Sequence, residues 1–186
     1  MTFGDYILQG AEILQIKPKA IREAAGDGKS LPFGVAFIAI AGVAMALGSW
    51  TLPGLILFPL VLLARVALHT ALIHFLSTSG FGGQGTYAGL FRPVALSWLF
   101  DWVLVVGLVV NFVPLLGPAL MILLGLVITL WKLVVDTVIV ETVYGLERHK
   151  AIAVVGIVIA LLIALALLFS FLFGAAFIGS WLLTRG

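Results

Sequence analysis

The sequence predicts an all-α membrane protein, a bundle of five transmembrane helices preceded by an amphipathic N-terminal helix in the membrane interface. Of its 186 residues, 63% are hydrophobic and 10% are charged, whereas soluble domains carry about 25% charged residues. A soluble fold of this length needs a larger polar shell. The apolar residues also form five continuous runs, and about 20 such residues cross the hydrocarbon core of a bilayer.

The first thirty residues are predicted to form a cytoplasmic segment, ahead of a transmembrane domain over residues 31–186. Apolar side chains recur in this segment at helical spacing, which indicates an amphipathic helix. They are Phe3, Tyr6, Ile7, Ile13, Leu14 and Ile16. Two interpretations stay open. The helix lies in the membrane interface, anchored by Phe3 and Tyr6, or it packs on the protein's own loops. A short second helix is expected after Pro18, stopped by the glycines that follow.

The predicted spans contain few polar residues and are separated by turns or loops. They cover roughly residues 31–48, 54–76, 93–112, 118–144 and 150–183. The turns SWTLPG and NFVPLLGP are short, and their prolines interrupt helical hydrogen bonding. The last run is longer than a bilayer requires, so it is expected to tilt, bend or protrude.

The positions of lysine and arginine predict the orientation of the chain. Outside the spans, one side of the membrane receives Lys17, Lys19, Arg22, Lys29, Arg92, Arg148 and Lys150. The opposite side receives only Arg185. Because positive loops remain in the cytoplasm, the N-terminus is predicted to be cytoplasmic and the C-terminus outside or lumenal.

The loop HFLSTSGFGGQGTYAGLFRP, between the second and third spans, is rich in glycine. Gly80, Gly82 and Gly85 have the spacing of a dinucleotide-binding fingerprint, but they follow a membrane helix rather than a strand. The sequence favours a structural role, with a helix ending at Gly80 and Thr86 opening a short helix that leads to Pro93. The alternative is a cytoplasmic loop surface for a partner or a lipid headgroup. That surface comprises Gly82, Gly83, Gln84, Arg92, Glu141, Arg148 and Lys150.

The layout of the chain resembles the Yip1 domain family from about Leu31 onward. The resemblance rests on five spans after a charged N-terminus, on the loop GFGGQGTYAGLFRP and on VYGLERHKAIAVV between the last two spans. It implies a helical membrane domain without catalytic residues. Eukaryotic members of that family are implicated in Rab GTPase binding and membrane traffic, whereas short prokaryotic members generally lack an assigned activity.

Charged and titratable side chains interrupt three of the apolar runs. They are Arg65, His69, Asp101, Lys132 and Asp136. A charge at the bilayer centre costs at least ~2.5–3.5 kcal/mol, so these residues are expected to face the bundle and pair. At ~1.5 Å per residue, His69, Asp101 and Asp136 lie roughly 12 Å from the cytoplasmic end of each span. Arg65 and Lys132 lie one helical turn deeper, above His69 and Asp136 respectively.

Two main interpretations of this buried polar cluster stay open, with ligand sensing as a third. The cluster is a dry network that fixes which helices are neighbours. Alternatively, it is a pathway, either a proton relay through His69, Asp101 and Asp136 or an anion site at Arg65 and Lys132.

No motif of a hydrolase, kinase or metalloprotease occurs, so no catalytic residue, metal or cofactor is predicted. A net charge of +2 and the absence of a basic aromatic patch argue against nucleic acid. The expected partners are the lipid bilayer, a protein at the cytoplasmic face and, through small residues of the first span, a second copy of the chain. The predicted function is a membrane scaffold or adaptor; the alternative is a small oligomeric transporter or channel.

Overall fold

The computed structural model describes the backbone of residues 1–183 and the side chains of residues 1–171. The helices are α1 (Phe3–Leu14), α2 (Pro18–Gly26), α3 (Ser30–Gly48), α4 (Gly54–Phe75), α5 (Tyr87–Ser97), α6 (Gly107–Val110), α7 (Leu116–Tyr144) and α8 (Arg148–Leu183). A π-helical turn, Leu76–Gly80, continues α4, and a 3₁₀ helix, Trp98–Val106, joins α5 to α6. Residues 1–183 contain no strand, so the fold is all-α.

Five helical segments are long and apolar enough to cross a membrane, which confirms the predicted class. They are Ser30–Gly48, Gly54–Gly80, Tyr87–Val110, Leu116–Tyr144 and Arg148–Phe171. We call the third of these, α5 to α6, the third span.

The start of the third span differs from the prediction. Helix α5 begins six residues before Pro93, because the Thr86 side chain accepts a hydrogen bond from the Gly89 N–H at 3.1 Å and caps the helix. Pro93 therefore lies inside α5. An internal proline costs about 3 kcal/mol. Burial of the flanking α5 side chains, including Val94 and Leu96, offsets that cost.

Helices α3 and α4 form a tight antiparallel hairpin through glycine. A Cβ atom on Gly42 would lie 2.5 Å from the backbone nitrogen of Pro59, and one on Gly54 would lie 3.2 Å from the Ala46 Cβ. Residue 42 must therefore be a glycine, because the neighbouring Pro59 atom belongs to the backbone and cannot rotate away from a side chain. These contacts also fix the register of the two helices, with Pro59 opposite Gly42.

Helices α1 and α2 pack on the bundle. Tyr6, Ile13 and Ile21 belong to the same hydrophobic cluster as the spans. A Cβ atom on Gly10 would lie 2.9 Å from the Leu96 carbonyl oxygen. The division expected after residue 30 coincides with the start of α3, but the residues before it share the core of the spans.

Aromatic and polar contacts hold α1 in place. The Phe3 ring contacts the rings of Phe33, Phe37 and Trp102, although Phe3 and Tyr6 had been the expected membrane anchors. The Trp131 Nε1 donates to the Leu14 carbonyl at 3.0 Å. Of the two interpretations, packing on the protein is therefore observed, and it uses helices rather than loops. The α1 helix contacts α3 at Phe33 and Phe37, which lie about 5–10 Å along α3 from its start at ~1.5 Å per residue. This depth is typical of helices that lie in the membrane interface.

Helix α7 is packed mainly at its C-terminal end, and the described part of α8 is packed at its N-terminal end. Val135, Val140 and Tyr144 of α7 are buried, as are Ala151 and Val158 of α8. By contrast, residues 116–134 of α7 are mostly accessible, apart from the buried Gly117 and Ile128 and the largely covered Lys132, and none of residues 159–171 of α8 is buried. We call these two ranges the bare stretches. The packed ends adjoin α1, α2 and the glycine-rich loop, at what we call the N-terminal face.

Candidate functional site: paired charges within the spans

The first pair in the membrane joins the third span to α7. The Lys132 Nζ donates a hydrogen bond of 2.7 Å to the Asp101 Oδ2. The same Nζ lies 3.0 Å from the centroid of the Trp98 ring, a cation–π contact. Only 13% of the Lys132 side chain and 6% of the Asp101 side chain are exposed. This pair is therefore a dry ionic link between two helices.

The second pair joins α4 to α7. The His69 Nε2 and the Asp136 Oδ2 lie 3.1 Å apart, within hydrogen-bonding distance. The second carboxylate oxygen of Asp136, Oδ1, is buried and has no hydrogen-bond partner among the described residues. His69 and Asp136 thus pair, although the sequence did not specify this partner, and Asp136 keeps one unsatisfied acceptor.

Arg65 does not pair as expected. Its side chain is exposed, and the described part of the chain offers it no hydrogen bond or ion pair. The five groups form two hydrogen-bonded pairs and one accessible arginine, whose charge still acts on Asp101 and Lys132. The physical reason is packing, since the continuous burial of α7 ends at Val135 and that of α8 at Val158, and Arg65 lies one turn of α4 beyond His69.

The register of α3 and α4 gives the depth of Arg65. Gly42 of α3 lies opposite Pro59 of α4, and the two helices run antiparallel. Arg65, six residues after Pro59, is therefore level with Ala36, six residues before Gly42. That position lies about 9 Å from Ser30 at ~1.5 Å per residue. Arg65 keeps its predicted place one turn of α4 beyond His69, but its depth measured from the start of α3 is smaller than the depth predicted from the end of its own span.

Asp101 lies at a similar depth. The Trp102 Nε1 donates to the Phe37 carbonyl at 3.0 Å, which places the neighbouring Asp101 level with the second turn of α3. His69, one turn of α4 closer to the N-terminal face than Arg65, is shallower than Asp101 rather than equally deep.

The glycine-rich loop is fastened to the end of α7. The Gly83 N–H donates to the Ser77 carbonyl at 2.7 Å and the Gln84 N–H to the Tyr144 carbonyl at 3.3 Å. Cβ atoms on Gly83 and Gly85 would lie 2.8 Å and 2.6 Å from Tyr144 side-chain atoms. These glycines thus allow close packing on Tyr144. This arrangement agrees with the structural role that the sequence favours.

The other residues of the predicted loop surface differ in their exposure. Arg92 is half-buried, and its guanidinium donates to the Ala25 carbonyl at 2.7 Å, so it ties α5 to α2 instead of lying on the surface. Arg148 is exposed, and its Nε lies 3.4 Å from the Glu141 carboxylate. Lys150 lies 3.7 Å from the carboxylate of Glu147.

Two contributing aromatic residues were missed from the sequence. Trp98 lies three positions before Asp101, a spacing that places both on one side of a helix and could have indicated their association. Tyr144 adjoins the glycine that ends α7, and its hydroxyl lies 2.8 Å from the His74 Nδ1. No sequence signal pairs it with the glycine-rich loop.

Comparison with known proteins gives no relative for this chain. No family model matches it, and neither a curated protein nor a solved structure does. The resemblance to the Yip1 domain family stays a prediction.

Proposed function

We propose that the protein is a membrane scaffold or adaptor of the Yip1 type, which presents the loops of its N-terminal face to a protein partner in membrane organisation or traffic. The observation that supports this most directly is the attachment of the glycine-rich loop to Tyr144, beside the α7–α8 turn. Two loops that are distant in sequence thereby form one continuous surface. Loops held on a rigid scaffold commonly carry binding functions.

The chemistry of that surface suits recognition of a polar partner. Side chains of both signs project from the α7–α8 turn, with 66% of Glu147 and 73% of His149 exposed. The Arg148 side chain is 71% exposed. Complementary charges across an interface increase the specificity and the rate of association more than the affinity.

The paired charges within the spans support the same proposal. Each pair joins two helices, and a misdocked charge is strongly disfavoured in lipid. The polar groups can therefore serve to select neighbouring helices, without any transport through the bundle.

Site-specific photocrosslinking tests the proposal. A photoreactive residue is placed at Gln84 or at His149, and the control is placed at Leu115, which is 89% exposed in the turn before α7. We expect the same protein adduct from both loops, none from Leu115, and a weaker adduct when Arg148→Glu is added. Equal labelling from all three positions would contradict an N-terminal binding surface.

The second candidate function is a small oligomeric transporter or channel. The unsatisfied Asp136 Oδ1, beside His69, favours it, because a buried carboxylate with a free acceptor can take up a proton. In proteoliposomes with an internal pH dye, this function predicts that Asp136→Asn abolishes proton flux in folded protein. Unchanged flux, or no flux in the wild type, would exclude the relay.

A further inference from the structure

We propose that Arg65 binds the phosphate of an anionic membrane lipid, whose acyl chains lie on the accessible apolar surface of α4 and the bare stretches of α7 and α8. This site is independent of the loop surface and of the proposed adaptor function. It assigns an acceptor to the guanidinium of Arg65, which makes no hydrogen bond or ion pair with the described chain.

The carboxylates of the spans leave the guanidinium of Arg65 without a hydrogen-bond acceptor among the described residues. Of the eight Asp and Glu residues, only three lie within the predicted spans. Each already has a cationic or imidazole partner, with Asp101 bonded to Lys132, Asp136 to His69 and Glu141 to Arg148. A second copy of the chain offers only these same groups, and both Asp101 and Asp136 are buried. The charge of Arg65 acts on Asp101 and Lys132 from a distance, but its N–H donors have no acceptor within the described chain. An anion from outside the chain would supply that acceptor.

The surroundings of Arg65 select a lipid over a hydrated anion. Val61 and Leu68 are the neighbouring accessible residues one turn away on α4, with exposures of 60% and 46%. Helix α8 contacts both α4 and α7, but its burial ends at Val158, which leaves apolar surface beyond. Such a surface suits acyl chains, whereas a free phosphate ion would need further polar donors.

The depth of Arg65 suits a headgroup. Arg65 lies near the middle of the Gly54–Gly80 segment but is level with a point about 9 Å from the start of α3. From there the long, flexible stem of arginine can extend its guanidinium toward the interface. Guanidinium groups bind phosphate through two parallel N–H donors. Basic sites between transmembrane helices are known to bind anionic headgroups.

Native mass spectrometry tests this site on the full-length protein. The protein is purified in a neutral detergent, offered phosphatidylglycerol and phosphatidylcholine in equal amounts, and scored for the lipid retained. We expect the wild type to prefer phosphatidylglycerol by about tenfold, Arg65→Gln to lose that preference, and Arg65→Lys to keep part of it. The matched control is Arg22→Gln, which removes an exposed arginine from α2 and should behave as the wild type.

Three results would overturn the proposal. They are an unchanged preference in Arg65→Gln, an equal loss in Arg22→Gln, and displacement of phosphatidylglycerol by millimolar inorganic phosphate. The first indicates that Arg65 is satisfied within the chain, the second a diffuse surface charge, and the third a site for soluble anions. Helical content and thermal unfolding of each variant establish that it is folded, and Arg65→Lys tests the site with the charge retained.

Discussion

The first and third spans differ from the last two in how far the protein itself covers them. Over their most apolar windows, 44% of α3 and 50% of the third span are buried inside the bundle, against 11% of α7 and 17% of α8. Yet all four are strongly apolar. Hydropathy therefore identifies what can enter a bilayer, while contacts with other helices determine which surface the protein covers and which surface it leaves to lipid.

The transition within α7 is marked by polar residues. Asp136 lies at the inner limit of the packed end, and Lys132 follows one turn later with its bond to Asp101. The α7 helix is thus held to α4 and to the third span by bonds between polar side chains, whereas α3 and α4 meet through glycine and close backbone contact. The predictions below test this difference, beginning with the largest expected effect.

Removing Lys132 should have the largest effect. Lys132→Met leaves the Asp101 carboxylate buried without a partner, which typically lowers the free energy of unfolding by about 3–5 kcal/mol. Denaturant titration in micelles measures the loss. Adding Asp101→Leu should restore most of it, because neither charge then remains buried.

The matched surface pair is Arg148 and Glu141, whose side chains are 71% and 36% exposed. Arg148→Met should cost no more than about 1 kcal/mol. If Arg148→Met lowered the free energy of unfolding as much as Lys132→Met, burial would not determine how much an ion pair contributes here.

Adding a methyl group distinguishes the tight hairpin from the bare stretches. Gly42→Ala in α3 would force an atom to within 2.5 Å of the Pro59 nitrogen, and such overpacking costs about 1–3 kcal/mol. Gly125→Ala in α7 meets nothing within 4 Å, so it should be neutral or should stabilise the helix by up to about 1 kcal/mol. Thermal unfolding of both variants measures the contrast; similar losses would mean that α7 is covered by the protein at Gly125.

Removing a helix cap tests how the third span begins. Thr86→Ala leaves the Gly89 N–H without its acceptor and should lower stability by about 1 kcal/mol, whereas Thr86→Ser should keep the bond. Hydrogen exchange at the first turn of α5 locates the effect. Unchanged exchange in Thr86→Ala would indicate that packing alone starts this helix.

A comparably small effect concerns the attachment of α1. The Tyr6 hydroxyl donates to Asp27 at 2.7 Å. Burial, together with that bond, raises the pKa of Tyr6 to about 12. Its contribution is therefore fully present below its usual pKa near 10 and is lost as the pH rises through about 12. Tyr6→Phe should cost about 0.5–1.5 kcal/mol at neutral pH.

The pH dependence provides the control for this bond. The stability difference between wild type and Tyr6→Phe should disappear above about pH 12. At the acid end, the hydrogen bond from Tyr6 lowers the pKa of Asp27, so its contribution is present above the usual value and is lost as the pH falls through the lowered one. A difference that does not change with pH would assign the effect to packing of the ring.

Much of this architecture could be predicted from local sequence. The observed starts of α3, α4 and α7 lie within two residues of those expected, because long apolar runs bounded by polar or proline residues are local properties. The third span was placed too late because Pro93 was taken to begin it. The capping bond of Thr86 and the burial of α5 outweigh the cost of an internal proline.

The candidate site was predictable only in part. Spacing by four ordered Lys132 and Asp136 along one helix, and both are observed in ion pairs. Their partners could not be derived, because Asp101 and His69 belong to helices whose neighbours and register a single sequence leaves undetermined. The same limitation concealed the contact between Tyr144 and the glycine-rich loop.

The sequence by itself determined the all-α class, the five apolar spans and the order of charges along each of them, since each depends on composition and spacing within one segment. Only the tertiary structure decided that α1 packs on the third span, that the charges form two pairs, and that Arg65 remains accessible. These features depend on which helices meet and on how far along their length they stay in contact.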